Sequence, residues 1–398
     1  MTSRLIVFVY LRGATEPVPA GVLEWDDPAD PGSIVTFVYG RRYVERPDAA
    51  ALDPRRLPLD ASARTSAQGL TGALAVFSNA LPDAWGRLMA RHLNGGRPLT
   101  DPELLLATAG GQRTGALDFG TDPAAPPGAG SPAAVTALDD LYEAVRAVEE
   151  GRPVDGRLAA LLRQGSSLGG ARPKETCLDG GRLWIAKLPS REDHQNIARV
   201  EYATMTLARE AGIRVPEMRV VPLHGDREAL LVDRFDREPL PGGALGRLPY
   251  MSARVLCGTP RAESSYLLLA DALRRDAVDP DADRRELFRR MAFNAAVNNV
   301  DDHGDNHGVL LEPNGQVRLT PAFDIVAGAG TGRYQAMEVG PEGRSGHRDN
   351  LLAAAPRFGL DHGEAEVLIQ EVRDAAAGWR EVFARCGVSD AEAAAWAF

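Results

Sequence analysis

The sequence predicts an α+β protein built in two lobes, a β-rich lobe followed by a mainly helical one, with a further small β-rich unit in front of them. Three observations predict this. Short apolar runs broken by Pro, Gly and Asp fill residues 1–120, strand and turn patterns return between Leu162 and Phe235, and beyond Ser264 the apolar residues recur mainly at helical spacing. The chain has 398 residues, 44% of them hydrophobic, which is enough for two or three cores because single cores stop growing at about 250–300 residues.

In chain order, Leu5–Leu11, Val22–Trp25 and Ile34–Tyr39 read as strands. The first run is too short for a signal-peptide core or a membrane span. Leu81, Trp85, Leu88, Met89 and Leu93 then mark a helix on one stripe, a second helix follows from Pro102, and Gly115–Phe119 reads as a closing strand. Thr121–Val135 is dense in Pro, Gly and Ala and reads as a linker, and a helix is expected around Leu138–Glu149 after it. These signals divide the chain into a small β-rich unit (1–120), a linker (121–135), a β-rich lobe (136–240) and a helical lobe (241–398).

The net charge of −10 argues against a broad phosphate-gripping surface, so direct nucleic-acid binding by this chain alone is not expected. No apolar run reaches the roughly 18 residues of a membrane helix. Cys177, Cys257 and Cys386 are few and far apart, which fits neither a disulfide framework nor a CxxC metal site and points to a reducing cytoplasm.

The chemistry concentrates in Asn298–Leu311, where Asp301, Asp302, His303, Asp305, Asn306 and His307 crowd ahead of an apolar strand. A second acid, Asp324, follows a hairpin-like turn at Glu312–Gln316. Phosphoryl transfer needs a carboxylate to take or orient the nucleophile's proton and oxygen ligands to hold Mg²⁺ against the phosphates. Asp301, Asn306 and Asp324 supply that set. Asp301 and Asn306 have the D-x-x-x-x-N spacing of the protein-kinase catalytic loop, with Asp324 in the place of the metal-binding aspartate of DFG. Zinc on His303 and His307 is the rival, disfavoured because Gly304, Asp305 and Asn306 are poor helix formers and the two rings would not share a face.

The matching parts occur upstream. Gly165–Leu178 is a glycine-rich loop whose small residues let backbone N–H groups approach phosphate oxygens. Lys187 ends an apolar strand, in the manner of the kinase lysine that reaches the nucleotide phosphates. Glu201 lies in a helix with the apolar stripe Ile197, Val200, Met205, Leu207 and Ala208 and is placed to pair with Lys187. Asp233, Arg234 and Phe235 follow the strand from Ala229 and are the candidates for a hinge facing adenine.

Taken in order, GGARPK, IAKLPS, RVEYATMTLA, DRFDR, DDHGDNHG and LTPAFDI resemble the HipA-like serine/threonine kinases, the toxins of type II toxin–antitoxin modules. VPAGVLEW, FSNALPDAWGRLMARHL and GALDF resemble that family's small N-terminal β-rich domain, and HRDNLLAAAPRFGL its C-terminal helical segment. The resemblance implies a two-lobed protein-kinase-like catalytic unit using ATP and Mg²⁺. In it Asp301 is the acid/base, Asn306 and Asp324 are the Mg²⁺ ligands, and Lys187 sits on the phosphates, oriented by Glu201. The other nucleotide contacts it implies are Ser167, Gly169, Gly170, Ala171, Lys174, Asp233, Arg234, Phe235 and His303. It further implies autophosphorylation of the glycine-rich loop at Ser167, with Ser166 as the neighbouring alternative, which would expel the loop and silence the enzyme. The expected partners are a small DNA-binding HipB-like antitoxin and a protein substrate such as an aminoacyl-tRNA synthetase. Asp233 departs from the glutamate common at the family's hinge. Two alternatives stay open: a small-molecule kinase of the aminoglycoside-phosphotransferase type, and a catalytically silent corepressor scaffold.

Overall fold

The fold is described from a computed structural model over residues 3–108, 110, 112–128, 130–165, 172–328 and 334–396, with 163–165 described by backbone alone. The chain forms two compact units: 1–192 with 222–250 and 313–315, and 193–221 with 251–312 and 316–398. These cuts differ from the sequence-based lobes, because the helix from Ile197 clusters with the helical unit while the sheet ahead of it clusters with the N-terminal strands.

In the first unit, β1 (Arg4–Val9), β2 (Val18–Trp25), β3 (Val35–Tyr39), β4 (Arg64–Ser66) and β5 (Leu117–Gly120) form a sheet of order β4-β3-β2-β1-β5. The strand expected near Gly115–Phe119 is thus present, and it pairs antiparallel with β1 through Phe119 and Val7. Phe8, Phe37, Phe77 and Phe119 fill the core beside it. Helices α1 (Ala84–Leu93) and α2 (Asp101–Ala107) follow β4; Thr100 and Glu103 close a capping box on α2. Trp85 and Met89 are buried as the stripe requires, but Leu88 is exposed, because α1 packs a narrower face than the apolar pattern suggested.

The second sheet runs β6-β7-β8-β10-β9, with β6 Ala133–Ala134, β7 Lys174–Asp179, β8 Arg182–Lys187, β9 Met218–Leu223 and β10 Arg227–Asp233. The last residues of the expected linker therefore form an edge strand, Ala133 pairing with Cys177. Helices α3 (Leu138–Glu149) and α4 (Gly156–Gly165) join β6 to β7, and α3 has the bounds read from the sequence. Glu175 on β7 is wholly buried, and among the described residues neither of its carboxylate oxygens has a hydrogen-bond donor. Burial pushes its pKa well above the usual carboxylate range.

The first unit also buries four arginines around two aspartates. Arg234 donates to Asp236 at 2.9 and 2.8 Å, Arg237 donates to Asp236 at 2.8 Å, and Arg113 and Arg247 lie 3.8 and 3.6 Å from Asp118. The carbonyl of Arg113 accepts from Arg234, Arg237 and Arg247 at 3.1, 2.9 and 3.0 Å. This cluster joins the segment before β5 to the chain beyond β10, where β11 (Arg237–Pro239) and β12 (Leu245–Arg247) pair.

The second unit is mainly helical: α5 (Ile197–Glu210), α6 (Tyr266–Asp276), α7 (Pro280–Ala296), α8 (Arg348–Ala354), α9 (His362–Ala377) and α10 (Trp379–Arg385). Helix α7 starts at an Asp279 cap with Pro280 in its first turn and buries Leu287, Phe288, Met291 and Phe293. Among the described residues no helix is long and apolar enough to cross a membrane. A small sheet is formed by β13 (Tyr250–Ser252), β14 (Gly308–Leu311) and β15 (Val317–Leu319), and Leu319 N–H donates to Asp283 in the first turn of α7 at 3.0 Å. The expected hairpin is real: Val309 pairs with Leu319, and Glu312 N–H donates to the Gln316 carbonyl across the turn.

Candidate active site

The loop between α7 and β14 is held from three directions. Asn306 N–H donates to the His303 carbonyl at 2.8 Å, and the Asn306 side-chain amide donates to the Asp301 carbonyl at 3.3 Å, so the two ends of the D-x-x-x-x-N segment meet. Arg254 donates to Asp305 at 2.8 Å. Gly304 lies so close to Ser264 that a Cβ there would fall 2.7 Å from its Oγ, and Gly304 N–H donates to the same oxygen at 3.3 Å. A side chain there would have to displace the Ser264 hydroxyl.

Asp301 and Asp302 are neighbours with opposite environments: Asp301 is exposed, whereas Asp302 is 2% exposed. The Asp302 carboxylate receives hydrogen bonds from the Tyr266 hydroxyl, from the Asn294 amide at 2.8 Å and from His307 Nε2 at 2.8 Å. Burial alone would raise its pKa, but His307 and the other donors bring it below the ordinary carboxylate value. The carboxylate is therefore ionised, which makes Nε2–H the donor on His307 and leaves Nδ1 buried without a partner among the described residues. Asn299 extends the network by donating to Asn294 Oδ1 at 3.0 Å. Sequence reasoning named Asp302 and His307 but gave neither this role, and it missed Tyr266, Asn294 and Asn299. A signal existed in α7, where Asn294 continues the buried positions Leu287 and Met291 at i+7 and i+3, placing a polar side chain on an apolar face.

Asp324 follows β15 on a segment pinned by hydrogen bonds from Ala322 N–H to the Arg214 carbonyl at 2.7 Å and from Ala327 N–H to Thr204 Oγ1 at 3.2 Å. Its φ is +62° and that of Asn298 is +54°, a left-handed conformation that non-glycine residues adopt at a cost and that clusters at functional sites. Gly328 abuts Asn298, since a Cβ there would lie 2.0 Å from its carbonyl oxygen. Glu201 is buried on α5, three residues before Thr204. His303 is half-buried, and burial followed by the charge of Arg261 lowers its pKa, so its ring is neutral near pH 7.

In the first unit Lys187 ends β8 in the middle of the sheet, facing Lys174 on β7 and Leu230 on β10. Two lysines directly opposite each other repel, and an anion between them would relieve that repulsion. Asp233 accepts from Arg182 at 2.6 Å. The Arg234 side chain is committed to Asp236, Thr176 and the Gln112 and Arg113 carbonyls, and its N–H donates to the Leu183 carbonyl. Phe235 packs 6.3 Å from Tyr250, ring centre to ring centre. Lys187 and Glu201 belong to different units. Ser166, Ser167, Gly169, Gly170 and Ala171 lie outside the described residues.

The donors near the loop suit magnesium. The Asn306 amide nitrogen is turned to the Asp301 carbonyl, which leaves Oδ1 as a hard oxygen donor, and Asp324 offers a carboxylate. No group of three or more His, Cys, Asp or Glu among the described residues could hold a metal ion.

A β-rich part and a helical part carrying this loop are the features of a kinase-like fold, and comparison with solved structures agrees. HipA from the Shewanella oneidensis complex of HipA, HipB and operator DNA superposes with a TM-score of 0.66 over 98% of this chain and 93% of that one, at 18% identity. At that identity the likeness is one of fold. Residues 166–379 match the HipA-like C-terminal domain, and the chain belongs to that family. Among relatives, a putative kinase, Y4dM, of Sinorhizobium fredii is 29% identical over 161 residues, 37% of this chain and 38% of that protein. The serine/threonine-protein kinase toxin HipA of Shewanella oneidensis is 27% identical over 172 residues, 39% of each chain. The matched stretch spans about two fifths of the length of these curated relatives.

Proposed function

We propose that this chain is an ATP- and Mg²⁺-dependent serine/threonine protein kinase acting as the toxin of a HipA/HipB-type module. The observation that carries the reading is the contrast within the loop. Asp302 is fixed by three hydrogen bonds and Asp301, one residue earlier, is left exposed to a substrate. In this assignment Asp301 orients the substrate hydroxyl and takes its proton as the γ-phosphoryl group is transferred. Asn306 and Asp324 would hold Mg²⁺, which when bound neutralises charge on the phosphates. Lys187 and Lys174 grip the phosphates, and Glu201 orients Lys187. Asp233, Phe235 and the backbone at Arg234 line the adenine side, and His303 adds a neutral hydrogen-bonding ring.

The family resemblance and the names of the relatives support three finer assignments. The target is a translation-related protein such as an aminoacyl-tRNA synthetase, the partner is a small DNA-binding HipB-like antitoxin, and phosphorylation of Ser167 silences the enzyme. Intact-mass spectrometry after incubation with Mg-ATP tests the core of this. A phosphate on Ser167 of the wild type, absent from Asp301→Asn, is the expected result. Phosphate incorporation unchanged by Asp301→Asn would overturn the assignment, and transfer to aminoglycosides in place of protein would move the chain to the small-molecule kinases.

A further inference from the structure

The helical unit holds a recess of about 430 Å³ that none of the residues assigned to phosphoryl transfer lines. Its floor is Ala292, Ala295 and Ala296 on α7, and its walls are Leu351, Ile369 and Trp379. Alanines at facing helix positions leave unfilled the space that larger side chains would occupy. Gly346 lies close against the floor, where an added Cβ would come within 2.9 Å of the Ala295 Cβ. The volume falls within the roughly 300–1,000 Å³ of small-molecule sites, and the lining is divided about equally between polar and apolar surface.

The ionisable groups on the lining are His347, Arg348 and Arg373, with no carboxylate among them, in a chain whose net charge is −10. Two of the three are engaged: His347 Nε2 lies 2.8 Å from Glu342, and Arg348 pairs with Glu366. Arg373 is exposed at the edge, and no acid among the described residues pairs with it. One uncommitted guanidinium on the lining of a recess that is half apolar matches one carboxylate, which it can meet with two parallel hydrogen bonds. A dianion would call for a second uncommitted cation.

We infer that this recess is a binding site for a small amphipathic monoanion, an aryl or branched-alkyl carboxylate whose apolar part lies on the alanine floor and whose carboxylate meets Arg373. The inference does not depend on kinase activity, because its test reads binding alone. Isothermal titration of the full chain with 2-naphthoate should show one saturable site. Arg373→Glu should weaken it by about tenfold or more, and Ala295→Phe, which fills the floor, should abolish it. The uncharged 2-naphthalenemethanol should bind the wild type about tenfold more weakly or worse, a control that does not depend on any variant folding. The inference is overturned by the absence of saturable binding up to about 10 mM, by naphthoate affinity unchanged in Arg373→Glu, or by equal affinity for the alcohol. A recess that takes only a protein side chain would give the first of these results.

Discussion

Each unit buries charge, and the cluster around Asp236 in the first differs from the one around Asp302 in the second. In the first unit Arg113, Arg234, Arg237 and Arg247 surround Asp118 and Asp236, with an excess of positive charge taken up by backbone carbonyls, that of Arg113 serving three guanidinium groups. Burial depresses the pKa of Arg113 to about 10, and nearby Arg234 and Arg237 hold Asp236 far below the carboxylate range against the effect of its own burial. In the second unit, which also buries Arg290 against Glu286 and the Thr320 carbonyl, the Asp302 carboxylate is surrounded by a hydroxyl, an amide and an imidazole. The arginine cluster is closed on itself and fastens distant segments together. The Asp302 network ends at an exposed neighbour, Asp301. Buried charge alone therefore does not mark a site; what sets the Asp302 network apart is the exposed carboxylate beside it, to which the proposed reaction is assigned.

The largest expected effect belongs to that exposed neighbour. Asp301→Asn should lower phosphoryl transfer by about 10⁴-fold, close to 5.5 kcal/mol, with the unfolding midpoint unchanged. A shifted midpoint would mean that Asp301 is structural. Asp236→Ala should act the opposite way, costing about 3–5 kcal/mol of stability because it strands Arg234 and Arg237 in the interior. Guanidinium denaturation measures this, and a cost below about 1 kcal/mol would show that the carbonyls suffice.

Asp302→Ala should combine both behaviours. It should reduce turnover by about 100-fold by loosening the loop, together with about 1–3 kcal/mol of stability for the donors it leaves unpaired. Full turnover in a folded variant would separate the network from function. The smallest effect is expected at Glu175. Its raised pKa means that the folded state keeps a proton the unfolded chain has lost, so stability should fall as pH rises above the unfolded value near 4.5 and continue falling until the raised value is passed. Glu175→Met should flatten that slope and stabilise the protein at pH 8 by about 1–3 kcal/mol. An unchanged pH profile would show that Glu175 is solvated.

What the sequence determined by itself was local. The bounds of α3, the turn between β14 and β15 and the spacing of Asp301 to Asn306 each depend on residues a few positions apart, where periodicity and turn chemistry act directly. Which of two adjacent aspartates is buried was decided by Tyr266, 36 positions before Asp302. The arginine cluster was decided by contacts such as that of Arg247 with the Arg113 carbonyl, 134 positions away. The exposure of Leu88 likewise depends on which face of α1 meets a neighbour. Burial and charge pairing are settled by whatever the rest of the chain brings alongside, and a single sequence does not record that; only the tertiary structure fixes which polar groups share an interior.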